Sequence, residues 1–562
     1  MPQSDPCFTP FEQAIDAYSL PERFTFPFYY QPDVLCVLAA EELQQYLRNQ
    51  NQWQHNFGLG DDPHEIIGKM FGVLVVERPD GKIGYLAAFS GKLAKQNHLE
   101  YFVPPVFDML AEGSFFLREQ ASINHANENI LVLEQSPELA QLQQTLSLLV
   151  AERKQHIATQ RALMVEQRKK RKAQRDSATI SLTSIALAQL NAALDQQSIH
   201  DKLILRDLSA YWDSKVELAQ QQHSVLSDKL LKLKTQRKME SAALQQRLFA
   251  QYRFLNSKGE ERDLQDIFSH TVLRTPPAGA GECCAPKLLH YAFKYQLKPI
   301  AIAEFWWGAS PKSEIRKHQQ FYPACMGKCQ PILAHMLDGM KVDDNPLLVN
   351  QAEGKVLDII YQDEVMLVVN KPAEFLSVPG KNIHDSVYAR IKTQFPYATG
   401  PIIVHRLDLS TSGLMVIAIN QKAHKSLQKQ FIQRLVNKRY VAIIEGLLEQ
   451  DTGIISLPLR GDLYDRPRQL VCKDNGKTAE TSWQVISRSQ ERQQSKVYLY
   501  PKTGRTHQLR VHCAHTLGLD MPIVGDDLYG KVATRLHLHA QRLELKHPVT
   551  QEYMRFEVEA EF

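Results

Sequence analysis

The sequence predicts an α+β protein in which a long helical segment separates two regions that mix helices with strands. Two apolar, β-branched runs flank Pro79-Asp80-Gly81, residues 131–258 contain no glycine and one proline, and strand-like runs recur from residue 365 onward. At ~100–200 residues per domain, the 562 residues favour three to five structural units over a single domain.

Composition excludes some classes of protein. Hydrophobic residues make up 44% of the chain and charged residues 23%, which is typical of folded proteins and excludes general disorder. The net charge of +4 is small, so any basic surface for nucleic acid has to be local. The N-terminus lacks the pattern of a secretory signal, and no apolar run reaches the ~18 residues of a membrane span. We therefore expect a cytoplasmic protein with reduced cysteines and no membrane partner.

Residues 1–130 are predicted to form a small α+β unit of unknown role. Its two β-branched runs are predicted to form a hairpin, because proline presets φ and Gly81 supplies the positive φ that a turn needs. No catalytic pattern is visible in this unit.

Residues 131–258 are predicted to form long helices, because Gln, Leu, Ala, Lys, Arg and Glu dominate the segment. Leu226, Leu230 and Leu233 have the spacing of a coiled-coil seam, which polar residues then interrupt. The segment is expected to fold back as a hairpin between residues 177 and 191, to associate with a second copy as a coiled coil, or to reach along RNA. The basic run of residues 168–172 is either a phosphate-binding patch or a solvated helix face.

Residues 259–345 are predicted to form a module of unknown role with two close cysteine pairs, Cys283 with Cys284 and Cys325 with Cys329. Two such pairs can hold zinc, with His335 as a substitute ligand. Adjacent cysteines diverge on a regular element, however, and are not the usual C-x2-C pair. We therefore expect no metal here, with zinc and a separate cysteine-dependent activity as the alternatives.

Residues 346–562 carry the strongest chemical signal and are predicted to form the catalytic domain. A polar hinge at residues 405–413 lies between two apolar runs and contains one carboxylate, one guanidinium and several hydroxyls. Such a group is typical of a site on a loop that strands support.

Five motifs of this segment resemble those of the RluA-type pseudouridine synthases. In chain order they are NKPAEFLSVPG from residue 370, HRLDLSTSG from 405, KRYVA from 438, GRTHQLRVH from 504 and PIVGD from 522. The stretch RPRQLVCKDNGKTAETSW from residue 466 resembles the subgroup that acts on both ribosomal and transfer RNA. One departure is Glu374, where the family usually has glycine, and we expect it to alter a turn near the substrate groove.

The resemblance implies the pseudouridine synthase fold, a mixed and mostly antiparallel sheet around an RNA cleft. It implies that Asp408 is the essential carboxylate, that Arg510 is its cationic partner, and that Tyr440 stacks on uracil and serves, or aligns, removal of the C5 proton. The predicted RNA-binding residues are Arg406, Arg505, His507, Arg466, Arg468, Lys473 and Lys477.

The implied reaction converts uridine to pseudouridine in ribosomal or transfer RNA. A uridine stacked in a helix exposes neither C1′ nor C5, so the nucleotide has to be flipped out, and loops and bulges are the expected targets. Isomerisation involves no redox change, so no cofactor is expected.

The serious alternative is an RNA-binding or ribosome-assembly factor whose synthase domain mainly supplies affinity. The presence of Asp408, Tyr440 and Arg510 argues against an inactive enzyme and leaves a dual role open. A kinase is excluded because Leu407 separates Arg406 from the aspartate, and a glycosidase would need a second carboxylate.

Overall fold

The structure, a computed structural model, describes residues 5–60, 67–463 and 465–562. Its α-helices are α1 Val34–Asn49, α2 Phe115–Glu134, α3 Pro137–Ser181, α4 Ser184–Gln251, α5 Leu264–Ser269, α6 Cys284–Lys294, α7 Cys329–Met336, α8 Val387–Gln394, α9 Gln421–Ile432 and α10 Gln508–Ala514. Its β-strands are β1 Thr9–Pro10, β2 Lys69–Glu77, β3 Ile83–Phe89, β4 Arg253–Leu255, β5 Glu261–Asp263, β6 Lys298–Trp307, β7 Asp358–Gln362, β8 Met366–Lys371, β9 Ser412–Ala418, β10 Asn437–Glu445, β11 Thr452–Ser456, β12 Leu459–Gly461, β13 Gln469–Val471, β14 Glu480–Ser489, β15 Gln494–Pro501, β16 Leu538–Lys546 and β17 Tyr553–Glu557. The predicted α+β class is confirmed. Among the described residues, no helix is both long and apolar enough to cross a membrane.

The N-terminal sheet has four antiparallel strands in the order β1-β3-β2-β6. β2 and β3 form the predicted hairpin, and the N–H of Arg78 closes its turn on the carbonyl of Lys82 at 2.9 Å. Gly81 has a φ of 79°, as the turn requires. Helices α1 and α6 pack against β2. Because β6 comes from the cysteine-containing segment, the first and third predicted segments share one sheet.

Residues 109–248 form a separate compact unit, in which α3 and α4 are antiparallel. Arg153 pairs with Asp213 and Arg175 pairs with Asp195, each with an N–O distance of 2.6 Å. The chain reverses at residues 182–183, within the predicted interval, so the segment folds back as a hairpin. Helix α2 begins upstream of the predicted start at residue 131, because Ser114 caps it by accepting from the N–H of Phe116 at 3.2 Å.

The basic run of residues 168–172 lies on α3 and has a mixed environment. Arg171 is buried and pairs with Asp201 of α4 at 2.6 Å. Lys170 is exposed and pairs with Glu166 on its own helix at 2.8 Å. The other three basic residues of the run are exposed. One member of the run therefore holds the hairpin together, and the others lie on a solvated face.

The C-terminal sheet has nine strands in the order β11-β14-β15-β10-β16-β9-β8-β7, with β17 paired to β16. Among its described pairs, β16 and β9 are parallel and the others are antiparallel, as the resemblance implies. The predicted strands at residues 365–370, 414–419, 440–445 and 497–500 correspond to β8, β9, β10 and β15. Their Val, Ile and Leu side chains fill the core on both faces of the sheet, which explains why β-branched runs predicted them well.

His405 is part of the framework next to β9. Its ring stacks on Phe431 with 4.6 Å between centroids, and its Nε2 accepts a hydrogen bond from the N–H of Val416 at 3.1 Å. Burial lowers the pKa of His405 to about 3, so the imidazole is neutral and Nε2 is free to accept.

Acid should therefore destabilise this domain through His405. The folded-state pKa is about 3, below the ~6.5 of an unfolded chain, so the unfolded state binds the extra proton between these values. The stabilisation is fully present above pH ~6.5 and is lost as the pH falls toward 3. Between pH 7 and pH 5 this group should lower the free energy of unfolding by about 2 kcal/mol. Urea unfolding of the wild type at both pH values measures this difference in the free energy of unfolding. His405→Gln keeps a hydrogen-bond acceptor but does not titrate, so the difference should be smaller in this variant. An equal difference in the variant and the wild type would contradict the role of His405.

Candidate active site

A cavity of about 900 Å³ lies where the loop before β9, the start of β10 and the loop between β15 and α10 meet. Six of the predicted site residues line it, namely Asp408, Tyr440, Arg510, Arg406, Arg505 and His507. Three motifs that are far apart in the sequence therefore converge on one cavity.

The loop that carries Asp408 is held by a buried lysine and a buried serine. Lys371 donates from Nζ to the carbonyl oxygen of Leu409 at 3.0 Å, and its burial lowers the pKa of this ammonium to about 7. Ser377 donates to the carbonyl oxygen of Leu407 at 2.6 Å and accepts from the N–H of the same residue at 3.1 Å. The backbone is thus fixed on both sides of Asp408.

The turn at Glu374 keeps a conformation that glycine favours. Its φ is 54°, in the left-handed region, where a residue with a side chain costs about 1 kcal/mol. The predicted alteration of this turn is therefore not observed, because the glutamate adopts the left-handed backbone that glycine favours.

Tyr440 reaches the cavity from an irregular position on β10. The register against β16 shifts between Arg439 and Tyr440, and the ring packs against the apolar clusters on both sides. Burial raises the pKa of the Tyr440 hydroxyl, and the negative charge of Asp408 raises it further. The hydroxyl is therefore protonated at neutral pH, and the Asp408 carboxylate is close enough to influence it.

Arg510 has two carboxylate partners that differ from the one predicted. Its Nε and Nη2 donate to Asp526 at 2.9 and 2.5 Å, and Nη2 also donates to Asp527 at 2.6 Å. Among the ion pairs of the described residues, none within 4.0 Å joins Arg510 to Asp408. Burial opposes the charge of Arg510, but Asp526 and Asp527 outweigh it and raise the pKa, with a smaller contribution from Asp408. Arg510 therefore acts on Asp408 through its field and not through a direct ion pair.

His507 closes the cavity at the start of α10. Its φ is 53°, and its Nδ1 shares a hydrogen bond with the hydroxyl of Tyr529 at 2.9 Å. Burial lowers the pKa of His507, so its ring is neutral at pH 7. Tyr529 also accepts from the N–H of Gln469 at 2.7 Å, which links α10 to β13.

Comparisons with known proteins agree with this geometry. Residues 365–515 match the family model of RNA pseudouridylate synthases. The dual-specificity RNA pseudouridine synthase RluA of Yersinia pestis is 46% identical over 211 residues, which are 36% of this chain and 99% of that relative. The chain belongs to the RNA pseudouridine synthase family.

Proteins of the same name from Vibrio vulnificus (strain CMCP6) and Escherichia coli (strain K12) are also similar. The first is 45% identical over 201 residues, 34% of this chain and 78% of that relative. The second is 42% identical over 213 residues, 37% of this chain and 94% of that relative. The N-terminal region of this pseudouridine synthase has no family match.

Four basic residues that the sequence assigns to RNA binding do not line the cavity of this synthase. Arg466, Lys473 and Lys477 are exposed. Arg468 is buried and pairs with Asp465 at 3.1 Å, so its guanidinium packs inside the protein. An RNA phosphate cannot reach a guanidinium that is enclosed in this way, so the predicted RNA contact of Arg468 is wrong.

Sequence reasoning missed three residues of the synthase site. Tyr29 donates from its hydroxyl to Asp527 at 3.2 Å and so touches the partner of Arg510 from the N-terminal region. This contact joins residues 498 positions apart, and no local pattern signals it. Lys371 and Lys438 are the lysines of the first and third motifs, so the motifs themselves carry the signal for them.

The four cysteines of the N-terminal region do not form one group. The sulfur atoms of Cys283, Cys325 and Cys329 lie within 4.8 Å of one another. Cys284 instead donates to the carbonyl oxygen of Met70 at 3.3 Å. Three of the four cysteines therefore make up a potential metal-binding set.

Removing one partner of the buried Arg510 pair should strongly destabilise the synthase domain. Asp526 is fully buried and takes two of the hydrogen bonds of Arg510, so Asp526→Asn should lower the free energy of unfolding by about 3–5 kcal/mol. Asp527→Asn should cost less, because its side chain is 21% exposed. Urea unfolding of both variants tests this order, and equal losses would contradict it.

The contact from Tyr29 should affect catalysis through Asp527. Tyr29→Phe removes one hydrogen bond, which is worth up to about 1 kcal/mol. This energy corresponds to a decrease in kcat of about two- to fivefold, and we expect KM to change little. Tyr30→Phe is the control for loss of a neighbouring tyrosine hydroxyl, because that of Tyr30 donates to the carbonyl of Tyr322, accepts from the N–H of Glu304 and does not touch Asp527. If both variants lose the same activity, the effect does not pass through Asp527.

Proposed function

We propose that this protein converts specific uridines of ribosomal RNA, transfer RNA or both into pseudouridine, with Asp408 as the essential carboxylate. The observation that carries the proposal is the convergence of Asp408, Tyr440 and Arg510 on one cavity, with the Asp408 loop fixed by Lys371 and Ser377. The names of the RluA relatives, which describe dual-specificity RNA enzymes, support both classes of RNA as substrates.

The reaction breaks the bond between C1′ and N1, turns the uracil and joins C1′ to C5. C5 loses its proton and N1 ends with one, so the composition of the nucleotide is unchanged. Asp408 serves this chemistry either by attacking the sugar covalently or by driving elimination at the sugar. Both routes need an ionised carboxylate in a partly enclosed cavity. Arg510, which Asp526 and Asp527 hold in the cavity wall, interacts electrostatically with this carboxylate.

Tyr440 is suited to hold the uracil ring. Its aromatic face borders the cavity, and its hydroxyl stays protonated at neutral pH, because burial and Asp408 raise its pKa. A general base works best with a pKa near the operating pH. We therefore assign Tyr440 to stacking and to alignment of the proton transfer, more than to direct removal of the C5 proton.

The substrate enters as a flipped nucleotide. A cavity of about 900 Å³ can enclose one nucleotide, because pockets of about 300–1,000 Å³ hold ligands of that size. Arg406 is exposed at this cavity, in position to take the place of the departed base or to bind phosphate. Arg466, Lys473 and Lys477 are exposed and can follow the RNA backbone, and Arg505 is oriented by a hydrogen bond to the carbonyl of Thr478 at 3.1 Å.

We assign a role to two long segments of the chain. Residues 346–562 form the catalytic domain, and residues 131–258 form an arm that acts as an intramolecular coiled coil or associates with a second copy. The exposed basic residues of α3 are available to RNA along this arm. We place the protein in the cytoplasm, where ribosomal and transfer RNA are available, and its reaction needs no cofactor.

Tritium release from RNA with 5-tritiated uridine tests the proposed reaction. The wild type should release tritium from ribosomal or transfer RNA, and Asp408→Asn should abolish the release without weakening RNA binding, because Asp408 neutralises no phosphate. Asp358→Asn is the matched control, since Asp358 is an exposed aspartate on β7 outside the cavity.

Two outcomes would contradict the proposal. Release by Asp408→Asn at the wild-type rate would remove this residue from catalysis. Tight RNA binding by the wild type without release from any RNA would favour an RNA-binding or ribosome-assembly role, in which the synthase domain supplies affinity.

A further inference from the structure

Three cysteine sulfurs converge in a segment that precedes the synthase motifs in the sequence and belongs to none of them. The sulfur atoms of Cys283, Cys325 and Cys329 lie within 4.8 Å of one another, and those of Cys325 and Cys329 are 3.5 Å apart. Cys283 comes from a segment about forty residues before the other two. Folding therefore brings these thiols together, and local sequence proximity does not.

The spacing of the sulfurs matches metal coordination. Tetrahedral coordination at a Zn–S distance of about 2.3 Å separates two sulfurs by about 3.8 Å. The 3.5 Å between the sulfurs of Cys325 and Cys329 is close to this value and all three sulfurs lie within 4.8 Å, so small rotations of the side chains are enough to complete a site. A disulfide needs a separation of about 2.05 Å, which is much shorter than the 3.5 Å between Cys325 and Cys329.

The elements that carry the sulfurs also favour a metal thiolate. Cys283 is the residue that precedes α6, and Cys329 is the first residue of α7. Because these two cysteines lie at the N-termini of their helices, the positive ends of both helix dipoles are close to the cluster. Three thiolates and one divalent ion carry a net charge of −1, which these helix ends stabilise.

The other two candidate ligands of the segment are engaged elsewhere. The thiol of Cys284 donates to the carbonyl of Met70 at 3.3 Å, and Nε2 of His335 shares a hydrogen bond with the carbonyl of Phe254 at 3.0 Å. Cys283 and Cys325 are half-buried, so solvent can reach the cluster and supply the fourth ligand.

We propose that Cys283, Cys325 and Cys329 bind a zinc ion with three thiolates, and that water completes the tetrahedron. Each thiol that is protonated before binding releases its proton to solvent as the Zn–S bond forms. The ion would tie the start of α6 to the start of α7 and so fix the segment between them. That segment contains Arg316, which pairs with Asp465 of the catalytic domain at 3.2 Å.

Metal analysis of the full-length protein tests the proposal independently of its enzymatic activity. The wild type, purified without added metal, should contain about one zinc per chain by mass spectrometry of the element. Cys283→Ser, Cys325→Ser and Cys329→Ser should each lose most of it. Cys284→Ser is the matched control and should keep its zinc, because that thiol is buried beside the cluster but bonded to Met70.

A second measurement does not depend on the folding of the variants. Wild-type protein treated with a chelator and refilled with Co²⁺ should show the intense absorption of cobalt thiolates. The proposal is overturned if the purified wild type contains no zinc and the cobalt-treated protein lacks the absorption of cobalt thiolates. It is also overturned if Cys284→Ser loses zinc as the other variants do, or if the purified wild type contains a disulfide between Cys325 and Cys329.

Discussion

A guanidinium buried in the wall of the cavity is stable only beside carboxylates that accept its hydrogen bonds, and the synthase site is organised around this requirement. Arg510 is 3% exposed and binds both Asp526 and Asp527. Asp526 in turn accepts from the N–H of Tyr529 at 2.9 Å, and the hydroxyl of Tyr529 meets His507. One ion pair therefore determines the position of α10, of the turn after residue 525 and of the ring that closes the cavity.

A different device fixes the opposite wall of the cavity. Lys371 is fully buried without a carboxylate within ion-pair distance among the described residues. It donates to the backbone carbonyl of Pro372, directly after β8, and to that of Leu409, in the loop that carries Asp408. Carbonyl oxygens partly replace the water that the ammonium loses, and burial still lowers its pKa to about 7. The first motif thus contacts the second through a lysine, which holds the loop that carries Asp408 in place.

The sequence was sufficient for those parts of the fold that local patterns determine. The strands β8, β9, β10 and β15 follow from runs of β-branched residues, and the long helices α3 and α4 follow from the absence of glycine over a long stretch. The hairpin that they form was one of three alternatives that the sequence left open. The pairing of β6 with β2 and the contact of Tyr29 with Asp527 join residues more than 200 positions apart, and no periodicity reports such contacts. Arg468 was misassigned for a related reason, because its burial depends on tertiary contacts such as its hydrogen bond to the carbonyl of Leu528, 60 positions away.

The Yersinia pestis relative consists almost entirely of the domain that it shares with this chain, because 36% of this chain covers 99% of that relative. The N-terminal region is therefore an addition that this relative does not have. Residues before 346 nevertheless contact residues next to the synthase motifs. Tyr29 donates to Asp527, Arg316 pairs with Asp465, and Lys317 donates to the carbonyl of Asp520 at 3.0 Å. Each contact falls on a loop next to α10 or β13, and residues 1–108 belong to the same compact unit as the catalytic sheet. The added region therefore supports the wall of the cavity that holds Arg510, and a change in its packing has a direct physical route to the field at Asp408.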